Sequence, residues 1–229
     1  MTSSNSAGSI APASWGAIFD WDGVVIDSSK AHEESWDRLA AETGRVLPPD
    51  HFVKGFGRKN DFIIPEILGW TRDLDEIHQL SLRKEELYRD VVRERGQSAL
   101  PGVRTWLERL RDHGVPCAIG SSTHRANIDL ILGLVGLAEF FQSIVTAEDV
   151  KIGKPNPEVF LTAASRIVRP PERCVVFEDA HVGIAAARAG GMRVVGVATT
   201  HPVAELKEAD VATPRLDELS IETLDKWFA

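Results

Sequence analysis

Cysteine and long apolar stretches are both scarce in this 229-residue sequence. Two cysteines are too few for a disulfide framework or a zinc cluster, which favours a reducing compartment. No stretch approaches the roughly 20 consecutive apolar residues that a membrane-spanning helix needs. The first 14 residues are small and polar, and they lack the basic start and apolar run of a secretory signal. We therefore expect a cytoplasmic protein with no membrane partner.

Positive charge is also in deficit. The 26 Lys and Arg residues face 34 Asp and Glu residues, which leaves a net charge of −8. This balance argues against a nucleic-acid binder that relies on a broad basic surface, and we expect no nucleic-acid partner. A small anion can still bind where cations or backbone N–H groups are concentrated locally. The length fits one large domain, or one domain that carries a smaller one, in a monomer or a homodimer.

Short apolar runs alternate with helical patterns along most of the chain. The runs lie at residues 17–19, 115–119, 144–145, 174–177 and 194–197. A helical pattern lies between the first two of these runs. It has the i, i+3, i+4, i+7 spacing of a helix with one buried face, at Val103, Trp106, Leu107 and Leu110. Strands that alternate with helices predict an α/β fold with a doubly wound parallel sheet.

The segment from residue 30 to 98 breaks this alternation, because it has helical pattern but no clear strand. It includes a long, highly charged helix predicted at residues 74–95. We interpret residues 30–98 as a helical domain inserted into a core domain formed by residues 1–29 and 99–229. Ligands of such sheets bind at the carboxyl ends of the strands. An insertion that leaves from that edge would cover the site as a lid.

Four polar elements follow predicted strands or precede helices, and we expect them to converge at one edge of the sheet. They are Asp20 with Asp22, Ser121 with Ser122, Lys154, and Glu178 with Asp179. Four carboxylates against one lysine would repel one another and raise one another's pKa. A divalent cation would relieve this repulsion, and oxygen ligands without nearby Cys or His favour Mg²⁺.

The same residue types are the equipment for phosphoryl transfer. The Ser121 hydroxyl and the free N–H groups of a helix start form an anion site, and Lys154 adds a point charge for phosphate. Asp20 is placed to act as the nucleophile that forms an aspartyl phosphate. Asp22, two residues on, would protonate the leaving oxygen and then activate water.

The order of these motifs, an Asp-x-Asp, a serine, a lysine and an acidic pair, resembles the haloacid dehalogenase-like (HAD) superfamily of phosphotransferases. The resemblance runs from residue 17 to about residue 215 and points to the branch with a helical cap, which includes beta-phosphoglucomutases and phosphoglycolate phosphatases. It implies a Rossmann-like core. It also implies Mg²⁺ held by the Asp20 carboxylate, the Asp22 carbonyl and Asp179, with Glu178 as a ligand or beside the metal. Phosphate-binding residues would be Ser121, Ser122 and Lys154.

The inserted segment resembles the beta-phosphoglucomutase cap at three places. His32 lies ten residues after Asp22, Arg58 ends the run Gly-Phe-Gly-Arg, and Lys84 lies in a charged helix. The resemblance implies that all three face the substrate. Each also has an ordinary alternative: His32 in core or hinge packing, Arg58 as a solvated charge, and Lys84 in i,i+4 ion pairs.

Three functions remain open from the sequence. The first is an Mg²⁺-dependent phosphatase for a small phosphorylated metabolite, such as a sugar or polyol phosphate. The second is a phosphomutase of the beta-phosphoglucomutase type, which needs a second phosphate pocket built from Arg58 and Lys84. The third is a non-enzymatic phospho-receiver domain, which is much shorter and has no large cap.

Overall fold

The computed structural model describes residues 13–55 and 58–229, in which six strands form one parallel sheet. The strands are β1 (Gly16–Phe19), β2 (Cys117–Gly120), β3 (Ser143–Val145), β4 (Cys174–Glu178), β5 (Arg193–Val197) and β6 (Val211–Thr213). Their order is β3-β2-β1-β4-β5-β6, and every neighbouring pair is parallel. The predicted α/β fold with a doubly wound parallel sheet is confirmed.

The central strands are continuous apolar runs because both of their faces are covered. All residues of β1, β2 and β4 are buried, as parallel sheets between helical layers require. One face packs around Trp106 and Phe177, and the other packs around Phe160 and Val176. Strand β6 was not predicted, since it is a three-residue edge strand with two half-buried positions.

Helices occupy the connections between the strands. Between β1 and β2 lie α1 (Ser29–Thr43), α2 (His51–Gly55), α3 (Asn60–Phe62), a π-helical turn (Ile63–Ile67), α4 (Leu74–Arg95) and α5 (Val103–Asp112). Later in the chain lie α6 (Arg125–Val135), α7 (Glu158–Arg166), α8 (His181–Ala189) and α9 (Ile221–Asp225). Single 3₁₀ turns lie at Ala138–Phe140, Ala147–Asp149, Pro171–Arg173, Val203–Glu205 and Leu216–Glu218.

Helices α1 to α4 have a hydrophobic cluster of their own. It includes Trp36, Leu39, Ile64 and Leu80 and is separate from the two clusters on the sheet faces. This separation supports the division that we propose, with a core of residues 1–29 and 99–229 and an inserted cap of residues 30–98. In the described part of the chain, no helix combines the length and the apolar character needed to cross a membrane.

The two connections between the cap and the core run side by side. Ile26 and Ala99 form an isolated β-bridge. The N–H of Leu100 donates to the carbonyl of Val25 at 2.9 Å, and the Gln97 amide donates to the carbonyl of Asp27 at 2.9 Å. The cap therefore leaves and rejoins the core next to the carboxyl end of β1.

Candidate active site

The four polar elements meet at the carboxyl edge of the sheet. Asp20 directly follows β1, Ser121 follows β2, and Glu178 ends β4. Lys154, from the loop between β3 and α7, reaches across this edge. Its Nζ lies 2.9 Å from Oδ1 of Asp20 and 2.7 Å from Oε1 of Glu178. The convergence expected from the motif order is present in the structure.

Lys154 is a buried cation that is held in place on several sides. Burial by itself would lower the pKa of Lys154, but the charges of Asp20 and Glu178 and their hydrogen bonds outweigh it and raise that pKa. The ammonium also lies 4.8 Å from the ring centroid of Phe160. Lys154 therefore remains charged and is positioned to neutralise negative charge beside Asp20.

The carboxylates around Lys154 outnumber it. Burial raises the pKa of Asp20 to about 7 against the opposing charge of Lys154, and the charges of Glu178 and Asp22 add to the rise. The pKa of Asp179 is raised well above its usual range by burial and then by the charges of Glu178 and Asp20. The chain alone therefore supplies too little positive charge for this cluster.

The geometry of the cluster fits a divalent metal ion. Asp20, Glu178 and Asp179 each offer a buried oxygen, and these oxygens lie within 4.8 Å of one another. Oδ2 of Asp179 accepts a hydrogen bond of 2.8 Å from the Thr200 hydroxyl. Its Oδ1 is buried and has no hydrogen-bond partner within residues 13–55 and 58–229. An all-oxygen donor set of this kind suits Mg²⁺.

Gly23 makes this carboxylate arrangement possible. Its φ of +75° lies in the left-handed region, and a Cβ at this position would come within 1.9 Å of Oδ2 of Asp179. Glycine is therefore required here both for backbone conformation and for space. Sequence reasoning missed this role, although the glycine directly follows the Asp-x-Asp motif.

We expect Gly23→Ala to displace the Asp179 carboxylate and to raise the Mg²⁺ concentration for half-maximal activity at least about tenfold, as losses of metal-site support usually do. The matched control is Gly191→Ala, because Gly191 has the same φ of +75° but a Cβ there would meet no atom within 4 Å. Titration of activity with Mg²⁺ compares the two variants. Equal Mg²⁺ requirements in both would contradict the proposed role of Asp179.

Asp22 is held by three donors. Its carboxylate accepts hydrogen bonds from the hydroxyls of Ser28 and Thr123, and Nε2 of His32 lies 3.3 Å from its Oδ1. Burial would raise the pKa of Asp22, but the charge of His32 and these hydrogen bonds outweigh it and lower that pKa to about 2. No motif pointed to Ser28, since it is one of many serines near a helix start.

His32 connects Asp22 to the cap helix α4. Its ring stacks on Tyr88 with a centroid distance of 4.1 Å, and its Nδ1 lies 2.6 Å from Nζ of Lys84. His32 therefore lies between the carboxylate of Asp22 and the ammonium of Lys84. His32 is thus packed at the cap–core junction and also lines the cavity between the cap and the sheet.

Glu85 continues this chain of contacts into the core. Its carboxylate accepts from Lys84 at 3.0 Å, from Asn60 at 2.7 Å and from the side chain of Asn127 on α6. Burial would raise the pKa of Glu85, but the charge of Lys84, nearby histidine charges and the Asn60 hydrogen bond lower it to about 2. No sequence pattern indicated this role, since Glu85 lies within a run of charges typical of an exposed helix.

We expect Glu85→Gln to lower the free energy of unfolding at pH 7 by about 3 kcal/mol, the value of a pKa lowered from 4.5 to about 2. Since the pKa is lowered in the folded state, this stabilisation is complete above pH 4.5 and is lost as pH falls towards 2. In denaturant unfolding, the difference in the free energy of unfolding between wild type and Glu85→Gln should fall to about half at about pH 3. Glu86→Gln, an exposed control, should change stability by less than about 1 kcal/mol. If Glu85→Gln destabilised the protein equally at pH 7 and at about pH 3, this account would be contradicted.

A cavity opens between this edge of the sheet and the cap. The predicted site residues that line it are Asp20, Asp22, Ser121, Ser122, His32, Arg58 and Lys84. The Arg58 guanidinium lies 4.6 Å from the ring centroid of Phe62. Residues 56 and 57 of the Gly-Phe-Gly-Arg run lie outside the described residues. Lys154, Glu178 and Asp179 lie behind Asp20, in the buried floor of the site.

A model of the haloacid dehalogenase-like hydrolases matches residues 16–191. The chain belongs to this family. This HAD hydrolase is 39% identical over 217 residues to the 5-amino-6-(5-phospho-D-ribitylamino)uracil phosphatase, chloroplastic, of Arabidopsis thaliana, covering 92% of this chain and 57% of that protein. The chain thus spans little more than half the length of that relative. It is also 34% identical to the fructose-1-phosphate phosphatase of Escherichia coli, covering 80% of this chain and 95% of that one.

Solved structures place this HAD hydrolase in the same branch that its motifs resemble. A beta-phosphoglucomutase from Clostridium difficile superposes with a TM-score of 0.82 and 25% identity, covering 93% of this chain and 96% of that one. The resemblance to the beta-phosphoglucomutase-like branch is confirmed. The family match and the phosphatase relatives together identify the chain as a phosphoric monoester hydrolase. A non-enzymatic receiver domain is excluded.

Proposed function

We propose that this enzyme is an Mg²⁺-dependent phosphatase that hydrolyses a sugar or polyol phosphate through an aspartyl phosphate on Asp20. The observation that carries the proposal is the buried cluster of Asp20, Lys154, Glu178 and Asp179, of which Asp20 lines the cavity. Two phosphatase relatives are named for their substrates, one a phosphoribityl compound and the other a fructose phosphate. Both names support this class of substrate.

In the first step, the carboxylate of Asp20 attacks phosphorus and the bond to the leaving oxygen breaks. Ser121 and Ser122 line the cavity beside Asp20, where they bind the phosphoryl oxygens together with Lys154. Lys154 neutralises the charge that gathers there, which is the main source of rate in phosphoryl transfer. Mg²⁺ would be held by the carboxylates of Asp20 and Asp179 and the carbonyl of Asp22, with Glu178 as a further ligand or beside the metal. It would supply further positive charge to the transferring phosphoryl group.

In the second step, Asp22 takes a proton from the water that cleaves the aspartyl phosphate. The lowered pKa of Asp22 matches this role directly, because the residue rests as a carboxylate. Protonation of the leaving oxygen in the first step needs the acid form. The bound substrate must therefore displace at least one of the hydrogen bonds that Asp22 accepts from Ser28, Thr123 and His32, because these bonds hold its pKa low.

A phosphomutase shares every core residue but needs a second phosphate pocket. Arg58 lines the cavity and is available for that purpose. Lys84 is already engaged, since its ammonium is 2.6 Å from His32 and 3.0 Å from Glu85 and lies over the ring of Trp36. The phosphatase is therefore the better supported of the two.

Product analysis separates the two functions. We expect a panel of sugar and polyol phosphates with Mg²⁺ to release inorganic phosphate in a one-to-one ratio with substrate consumed. An isomerised sugar phosphate without phosphate release would show a mutase instead. The cytoplasmic location and the monomeric or homodimeric state stay predictions.

A further inference from the structure

One polar group in the cavity has no role in the proposed chemistry. His51 begins helix α2 in the cap and lines the same cavity as Asp20 and Asp22. Its side chain is nearly buried, with 8% of the residue exposed. Its Nδ1 lies 2.9 Å from the carbonyl oxygen of Pro48. Because a carbonyl oxygen only accepts, Nδ1 carries the hydrogen.

The other ring nitrogen of His51 has nothing to bind. Its Nε2 is buried and finds no hydrogen-bond partner in the described ranges 13–55 and 58–229. With the hydrogen on Nδ1 of the neutral ring, Nε2 is an acceptor. A buried acceptor that stays unpaired destabilises the folded protein, because its contact with water is lost and not replaced. A ligand in the cavity that offers an O–H or N–H group would remove this cost.

The side chains that the cap contributes to the cavity limit what this ligand group can be. The cap contributes Trp36 and Ile63 as apolar walls of the cavity. Lys84 also lines the cavity, and its ammonium contacts His32 and Glu85. Arg58 also lines the cavity from the cap, and its guanidinium lies over the ring of Phe62. The acceptor that His51 itself offers suits an uncharged donor-bearing group rather than a phosphate, which has acceptor oxygens.

We propose that His51 is a specificity-determining residue whose Nε2 accepts a hydrogen bond from a hydroxyl or N–H group on the organic part of the substrate. This inference rests on the proposed phosphatase function. Discrimination of this type is effective, because a substrate that lacks the donor leaves the buried acceptor unpaired.

Two substitutions separate the acceptor from the packing of the ring. His51→Asn keeps an N–H near the position of Nδ1, where it can donate to Pro48, and removes the acceptor. His51→Gln places an amide oxygen near the position of Nε2. His78→Asn, at an exposed position on α4, is the control.

The test compares kcat/KM for ribitol 5-phosphate with kcat/KM for n-pentyl phosphate, which has the same carbon chain without hydroxyl groups. We expect wild type to prefer ribitol 5-phosphate. His51→Asn should lower the ratio of the two values about five- to tenfold, the effect of one lost hydrogen bond to an uncharged group. His51→Gln should restore at least part of the ratio, and His78→Asn should not change it.

Three results would overturn the inference: wild type shows no preference, His51→Asn lowers both values equally, or His51→Gln fails to restore any preference. Turnover of p-nitrophenyl phosphate keeps this outcome distinct from failure of the proposed function. If wild type hydrolyses p-nitrophenyl phosphate but shows no preference for ribitol 5-phosphate, only the role of His51 is wrong. If wild type with Mg²⁺ hydrolyses none of the three esters, the phosphatase proposal itself fails.

Discussion

Asp20→Asn is expected to lower kcat by at least about 10⁴-fold, because the amide is a poor nucleophile and the covalent step is lost. The substitution removes one of four clustered carboxylates and leaves Lys154 its contact with Glu178 at 2.7 Å. The folded structure should therefore be retained. Steady-state hydrolysis of p-nitrophenyl phosphate with Mg²⁺ measures the loss, and thermal unfolding measures the fold.

The matched control for this variant is Asp27→Asn. Asp27 lies seven residues on at an exposed position, where it accepts hydrogen bonds from Ser29. Its activity should stay within about twofold of wild type, since surface substitutions away from special features have small effects. An Asp20→Asn protein that keeps the wild-type rate would show that Asp20 is not the nucleophile.

Asp22→Asn is expected to slow the hydrolysis of an alkyl phosphate by roughly 10²–10⁴-fold, the usual contribution of a general acid–base group. An amide supplies no proton to a poor leaving group such as an alkoxide. With p-nitrophenyl phosphate the loss should be smaller, because this leaving group departs without protonation. The two esters are compared in kcat/KM, which reports the first step alone, under identical Mg²⁺ concentrations.

The comparison between leaving groups is also the control for a general disturbance of the site. Asn at position 22 keeps one acceptor oxygen, so the hydroxyl of either Ser28 or Thr123 can still donate to it, while the other hydroxyl turns to accept from the amide N–H. A structural defect would therefore slow both esters alike. Equal losses of kcat/KM with both esters, or an unchanged kcat/KM with the alkyl phosphate, would mean that Asp22 is not the general acid of the first step.

The fold was largely predictable because its strongest signals are local. All five predicted apolar runs contain strands, and the helix expected at residues 74–95 is α4, Leu74–Arg95. Strand β6 escaped because three residues at a sheet edge carry too little pattern. The π-helical turn Ile63–Ile67 escaped because its apolar residues fit an ordinary helix equally well.

The site was predictable only where motif order carried information. Asp20, Ser121, Lys154 and the acidic pair each follow a strand or precede a helix, and parallel topology brings them to one edge. The supporting contacts of Ser28 and Thr200 depend on tertiary structure and have no spacing of their own. His51 was missed for the same reason, since only the folded structure shows that its Nε2 is buried and lacks a partner among the described residues.

The central claim is covalent transfer of phosphorus to residue 20, and rapid acid quench followed by peptide mass spectrometry tests it most directly. During steady turnover with Mg²⁺, the account predicts a phosphate adduct on the peptide that contains Asp20, at the side chain of Asp20 itself. The adduct should be absent in Asp20→Asn. An adduct on another residue, or phosphate release in single-turnover quenches with no adduct at any time point, would contradict the account.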